Sequence, residues 1–298
     1  MIELVDTEIL NTTLTVIGGG PGGYSAALRG AQFGADVILI EKEKLGGICL
    51  NIGCIPSKLF LHTTGILQYM HNAVKIGTLI GETRLDWNCL LTQKNRLIND
   101  MIIELEKLLE RNGVQVVHGH GRLSSVGIVE VDGKKGPLKI NSNAIIIATG
   151  SSPYIPSIQG VIHAVTPEHL PDLNRVPASM VIIGGGPEGV EFATIFRDMG
   201  IDVTLVEETD HLLPIEDEDV SRVLEKVLSE SGVNVFVKTI VSGISESDGV
   251  RTVSIQQNED KKKLETNVVV LAMGRKPNIE NIGLESLSVT TKNGLIQV

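Results

Sequence analysis

The sequence predicts an α/β protein of two units, one inserted into the other. Two observations carry that expectation. The chain repeats itself: LTVIGGGPGGYSAALRGAQFGADVILIEKE (14–43) returns as MVIIGGGPEGVEFATIFRDMGIDVTLVEET (180–209). Gly18, Gly20, Gly23, Gly34, Asp36 and Glu41 match Gly184, Gly186, Gly189, Gly200, Asp202 and Glu207, all at one offset of 166 residues. Identities at a single offset, with the apolar pattern preserved between them, mean one supersecondary unit used twice. Each copy also alternates a short apolar β-rich run, a helical pattern and a second apolar run, as parallel strands joined by a crossover helix do. A chain of 298 residues is long enough to give each copy its own core.

Taken in order, LTVIG and DVILIE are the first two strands, and the helix between them stops at Gly34. Residues 54–74 read as a helix with Pro56 in its first turn, and 94–112 as a long amphipathic helix ended by Gly113. VQVVHG, GIVEV, LKINS and AIIIATG are strand-like, with a hairpin turn at DGKKG. AIIIATG (144–150) has the composition of a buried strand returning to the first sheet. A Ser- and Pro-rich linker, SSPYIPSIQG, leads to the second copy. After that copy come a helix at 219–232, the strands VNVFVK and VSIQQ, a solvated turn at Lys261–Lys263, and the returning strand NVVVLAMG (267–274). The expected division is 1–150 plus 273–298 for the outer unit and 151–272 for the inserted one.

The repeated turn has the G-x-G-x-x-G spacing that cradles a dinucleotide. The first glycine (Gly18, Gly184) permits the tight turn, and the second (Gly20, Gly186) lets a pyrophosphate approach the backbone. The third (Gly23, Gly189) lets the helix pack on the strand, and the pyrophosphate then sits at the helix's positive end. Pro21, Gly22 and Glu188 complete these turns. The plain alternative, two Gly-rich turns without ligands, does not account for an acid 23 residues beyond the first glycine in both copies. Those acids, Glu41 and Glu207, are placed to hydrogen-bond a ribose 2′-hydroxyl and repel a 2′-phosphate. With Glu208, Thr209 and Asp210 after Glu207 and no Arg nearby, the second turn is expected to prefer NAD over NADP.

Composition removes other classes. The net charge of −10 offers no footprint for nucleic acid, and aromatics at 3% offer no stacking platform. No apolar run spans a bilayer, and MIELVDTEIL has no basic region ahead of an apolar stretch, so no membrane partner and a cytoplasmic location are expected. Cysteines number three, and their odd count is not a secreted disulfide framework. Cys49 and Cys54 lie five apart in LGGICLNIGCIPSK, with too few ligands for zinc, and a dithiol/disulfide that cycles is the functional alternative to a static bridge. Cys54 precedes a helix start, with Lys58 a turn later, and both favour a thiolate. Cys89 reads as a small buried side chain. No metal site is expected.

These segments resemble the pyridine nucleotide–disulfide oxidoreductases, and within them the dihydrolipoamide dehydrogenase branch. GGGPGGYSAALRGAQFG is similar to the family's FAD fingerprint and GGICLNIGCIPSK to its redox-disulfide signature, the most specific of the matches. IIIATGS and VVLAMGRKPN resemble its two returning strands, and GGGPEGVEFA with VEE its NAD site. The resemblance implies two Rossmann-like three-layer (β/β/α) FAD/NAD(P)-binding domains, one inserted into the other, and an FAD-dependent exchange of electrons between NAD and a dihydrolipoyl thiol. It makes Cys49 the interchange thiol and Cys54 the sulfur against the flavin, with Lys58 near the flavin and paired with Glu191. It also places Lys42, Gly47, Gly121, Ala148, Thr149, Gly150, Glu188 and Gly274 among the cofactor-binding residues. The implied partners are a lipoyl-type or other disulfide, and the 2-oxoacid dehydrogenase or glycine cleavage complexes. Mercuric and glutathione-type reductases share much of the pattern, and a non-catalytic nucleotide-binding module is the reading from a different class.

Departures from the family pattern shape the remaining expectations. The sequence stops at Val298, ahead of the family's Gly-Asp flavin motif and of the interface domain that builds the homodimer and carries the acid–base His–Glu pair. An incomplete FAD sheet with an exposed edge and an incomplete enzyme are therefore expected. His163 and Glu168 are read as structural, and Pro187-Glu188 stands where some relatives carry an aromatic gate.

Overall fold

The computed structural model describes residues 8–78, 84–133 and 136–298. In chain order it has β1 (Glu8–Ile17), α1 (Pro21–Gln32), β2 (Val37–Glu41), α2 (Gly47–Asn51), α3 (Cys54–Lys75) and α4 (Trp87–Arg111). There follow β3 (Val114–Ser125), β4 (Ile128–Gly133), β5 (Gly136–Ile147), β6 (Ser151–Pro153), β7 (Ser179–Ile183), α5 (Pro187–Asp198), β8 (Asp202–Val206) and α6 (Glu218–Ser231). The last elements are β9 (Asn234–Phe236), β10 (Thr239–Ser247), β11 (Val250–Gln257), β12 (Asp260–Thr266), β13 (Val268–Leu271), β14 (Arg275–Pro277), β15 (Thr291–Lys292) and β16 (Leu295–Ile296). The start of MIELVDTEIL and the tip of the DGKKG turn lie outside the described residues.

Two compact units emerge. One comprises the described parts of Met1–Cys54, Arg96–Ser152 and Lys276–Val298, and the other those of Ile55–Asn95 and Pro153–Arg275. In the first, β1 runs parallel to β2 and β5, and β2 parallel to β3. Hydrophobicity explains the order: β2 (VILIE) is buried at every position, as a strand covered on both faces must be. The meander β3–β4–β5 then pairs antiparallel, so the circuit β1-β2-β3-β4-β5 closes. Among the described residues, β5 from Ser142 to Ile147 pairs with β1 beyond the reach of β4, and the expected exposed edge falls there. Strands β3 and β5 are each 12 residues long, which lets them serve a parallel sheet at one end and a meander at the other.

The second unit carries a parallel sheet in the order β13-β7-β8-β9 and an antiparallel sheet β10-β11-β12. Its main core gathers Met180, Ile182, Val203 and Leu205 with Phe192, Ile195 and Phe196 of α5, and with Phe60, Trp87 and Leu90. The Trp87 ring lies 5.4 Å from that of Phe60, tilted by 49°, and donates its indole N–H to the Leu173 carbonyl at 2.8 Å. Three sequence expectations are corrected here. The long helix begins at Trp87, seven residues before the predicted start, because Trp87, Leu90 and Lys94 extend one buried face. That phase turns Cys89 outward, so it is exposed rather than buried. Lys261–Lys263 form part of strand β12, not a turn, with the Lys262 ammonium 5.1 Å over the Phe236 ring.

Candidate functional site

Each unit builds the same turn from the same parts. In the first, Gly18 takes φ +106°, and a Cβ there would collide with the Ala148 carbonyl at the end of β5. In the second, Gly184 takes φ +111° and meets the Ala272 carbonyl in the same way. Only glycine adopts this backbone and tolerates this approach without strain. Gly23 and Gly189 sit against the carbonyls of Gly18 and Gly184, which seats α1 and α5 on their strands. Gly20 and Gly186 cap these helices in extended conformation, and neither has a side-chain cap, so the first-turn N–H groups face outward as an anion site. Gly22 has open space in front of it.

The two acids close the turns. Glu41 Oε2 accepts the Gly19 N–H and Oε1 the Glu43 N–H, each at 2.7 Å. Glu207 Oε2 accepts the Gly185 N–H at 2.6 Å, and its Oε1 accepts the N–H and hydroxyl of Thr209 at 2.8 Å. Both acids are only 7% exposed, at the tips of β2 and β8. A carboxylate has about four lone-pair positions, so each retains capacity for a ribose hydroxyl. The middle glycines, Gly19 and Gly185, were missed in the sequence although they match at the same offset. A Cβ on either would press on the carboxylate that its own N–H binds.

In the first unit the cysteines are joined, with Cys49 and Cys54 in a disulfide and their Cα atoms 4.5 Å apart. Cys49 rides on α2, and Cys54 opens the 22-residue α3. The start of α2 is fixed to the glycine turn. The Gly46 N–H donates to the Gly19 carbonyl at 2.8 Å, and a Cβ on Gly47 would come 2.7 Å from Gly20 Cα. Asn51 donates to the carbonyls of Leu45 and Gly47 at 3.0 and 2.8 Å, while its buried Oδ1 has no partner among the described residues. A buried orphan acceptor beside a dinucleotide turn suits a hydroxyl-rich ligand such as FAD.

The remaining first-unit residues vary in fit. Thr149 donates its hydroxyl to the Asn278 carbonyl at 2.6 Å, and Asn278 returns bonds to the Thr149 and Gly150 carbonyls at 3.1 and 2.9 Å. Asn278, missed as a site residue, thus holds the returning-strand loop. A Cβ on Gly121 would meet Ile40 at 3.2 Å. Lys42 is exposed and lies 3.6 Å from Glu43.

In the second unit Lys58 of α3 pairs with Glu191 of α5. Gly274 has φ +92° and accepts the Tyr154 N–H at 2.8 Å. Just beyond it Arg275 reaches Glu168 at 2.7 Å and Glu188 at 3.5 Å. Burial pushes the Glu188 carboxyl above the ordinary range, with Arg275 opposing and Glu168 and Glu191 adding to the rise. His163, by contrast, lies 3.4 Å from Glu246 on β10. The described residues hold no cluster of three or more metal-ligating side chains, and no helix long and apolar enough to cross a membrane.

Residues 12–298 match the family model for pyridine nucleotide-disulphide oxidoreductases. The chain belongs to that family. Among curated members, the dihydrolipoyl dehydrogenase of Acholeplasma laidlawii is 36% identical over 282 residues, covering 91% of this chain and 82% of that protein. The dihydrolipoyl dehydrogenase of Bacillus subtilis is 33% identical over 282 residues, covering 93% of this chain but 61% of its own length. Against most such relatives the chain therefore spans about three fifths of the length. Among solved structures, a Cu(II) complex of the HOCl-induced flavoprotein disulfide reductase RclA from Escherichia coli superposes with a TM-score of 0.83. Its identity is 26%, and the match covers 97% of this chain and 62% of that one. Family membership accounts for the doubled glycine turn and for the disulfide lodged beside one copy of it.

Proposed function

We propose that the chain is an FAD-dependent dithiol/disulfide oxidoreductase that moves electrons between NAD(H) and a lipoyl-type disulfide through Cys49 and Cys54. One observation carries this: the disulfide is mounted on α2, whose first turn is packed against the glycine turn at Gly19 and Gly20. A structural staple has no reason to be anchored to a nucleotide turn. Residues 1–150 plus 273–298 would bind FAD, and 151–272 would bind NAD.

FAD, when bound, supplies two-electron transfer between nicotinamide and sulfur. The chain's own residues bind and orient. Gly18, Gly20 and Gly23 receive one pyrophosphate, Gly184, Gly186 and Gly189 the other, and Glu41 and Glu207 take the riboses. Reduction opens the Cys49–Cys54 bond to two thiols. Cys49 then attacks the substrate disulfide, and Cys54 closes on Cys49 to release the dithiol. Overall, NADH, a proton and a disulfide become NAD⁺ and a dithiol. The lipoyl arms of 2-oxoacid dehydrogenase or glycine cleavage assemblies are the proposed partners, and the cytoplasm the proposed compartment.

Steady-state assays of Cys49→Ser test this. NADH-dependent lipoamide reduction should vanish, while bound flavin and electron transfer to ferricyanide remain. Lipoamide reduction that survives the substitution contradicts the proposal.

A further inference from the structure

The internal repeat provides its own control for the second turn. At the common offset Gly22 stands where Glu188 does, and in the first unit a Cβ at that place meets nothing within 4 Å. Superposing the returning strands AIIIATG and VVVLAMG puts Ser151 where Arg275 stands. The second turn has therefore acquired both an acid and a base that the first lacks. Glu188 is the second residue of α5, and Cα–Cβ bonds lean toward a helix's N-terminus. Its carboxylate reaches Arg275, just past β13, at the carboxyl ends of the parallel strands where nucleotides bind. At 40% exposed it borders that opening rather than the core.

We propose that Glu188 is a specificity-determining residue of the second dinucleotide turn, its ionised carboxylate opposing the incoming pyrophosphate and its protonated form admitting it. The inference rests on the NAD-binding function proposed above. Among the described residues, the charged groups facing Glu188 are Arg275, Glu168 from the 3₁₀ turn Pro167–Asp172, and Glu191 one turn along α5, itself held by Lys58. Burial first, then the two neighbouring carboxylates, bring Glu188's titration above the ordinary carboxylate range despite Arg275. The sign follows from repulsion between like charges. Bound pyrophosphate makes Glu188 hold its proton more firmly, so affinity is highest at low pH. It falls as pH rises through the free-state value and levels off above the bound-state value. A difference of one unit between those values corresponds to about a tenfold loss.

The test is calorimetric titration of the full chain, its disulfide oxidised and FAD at saturation, with NAD⁺ from acid to neutral pH. Wild-type Kd should rise about tenfold toward neutrality. Glu188→Gln should stay near the tight value throughout, and Glu168→Gln should move the wild-type midpoint to lower pH, since it removes a neighbouring negative charge. A wild-type slope retained in Glu188→Gln, weaker binding by that variant, or an unmoved midpoint in Glu168→Gln overturns the inference and leaves the NAD site standing. NAD⁺ binding by none of the proteins at any pH overturns both.

Discussion

At the residue scale, each strand-tip acid accepts the N–H of the middle glycine in its own turn before any ligand arrives, so turn shape and ribose recognition share one carboxylate. Glu207→Ala leaves the Gly185 N–H without its acceptor. Thermal or urea unfolding should show a loss of about 1–3 kcal/mol, the cost of an unsatisfied buried donor. Glu207→Arg should in addition shift preference from NADH toward NADPH, and an unchanged ratio of kcat/KM values would undercut the ribose assignment. Asp198 gives a pH prediction. Burial pushes its carboxyl above the ordinary 3.8, outweighing the attraction of Arg197 and His71. An acid with a raised folded-state pKa adds no penalty below its unfolded value, and the penalty grows as pH rises through the folded value. Asp198 also ends α5, where the helix dipole disfavours an anion. Asp198→Asn should therefore raise Tm at pH 7 and leave it unchanged near pH 3. The acids Glu41 and Glu207 were legible from the repeat, whereas Arg275 and Glu168 were not. Their pairing joins positions far apart in sequence, and no local pattern marks it.

At the scale of elements, the glycine turns, both returning strands and the long helices followed from period and punctuation. What escaped was helix phase. The predicted start of α4 at residue 94 left out the turn that carries Trp87 and Leu90 inward and Cys89 outward. Lys94 makes the same point. It is 3% exposed, donating to the Pro171 carbonyl at 3.0 Å and pairing with Asp172. Its burial depends on acceptors brought by a 3₁₀ turn more than seventy residues away. Lys94→Met keeps the stem and removes the donor. Urea denaturation should report a loss of about 1–3 kcal/mol, and an unchanged midpoint would show that the ammonium does not hold that turn to α4.

At the scale of the whole molecule, duplication is the feature the sequence states most plainly, because packing demands the same residues wherever the same turn recurs. Closure of the first sheet was less legible, since the dual pairing of β3 and β5 depends on strand length rather than on composition. The chain holds three cysteines, with Cys49 and Cys54 bridged and Cys89 exposed. Anaerobic thiol titration with FAD present, before and after one equivalent of NADH, tests the central claim most directly. The reagent-accessible count should rise from one to three per chain as NADH is consumed. A count that stays at one while NADH is oxidised would mean that the sulfur pair takes no part in the electron path.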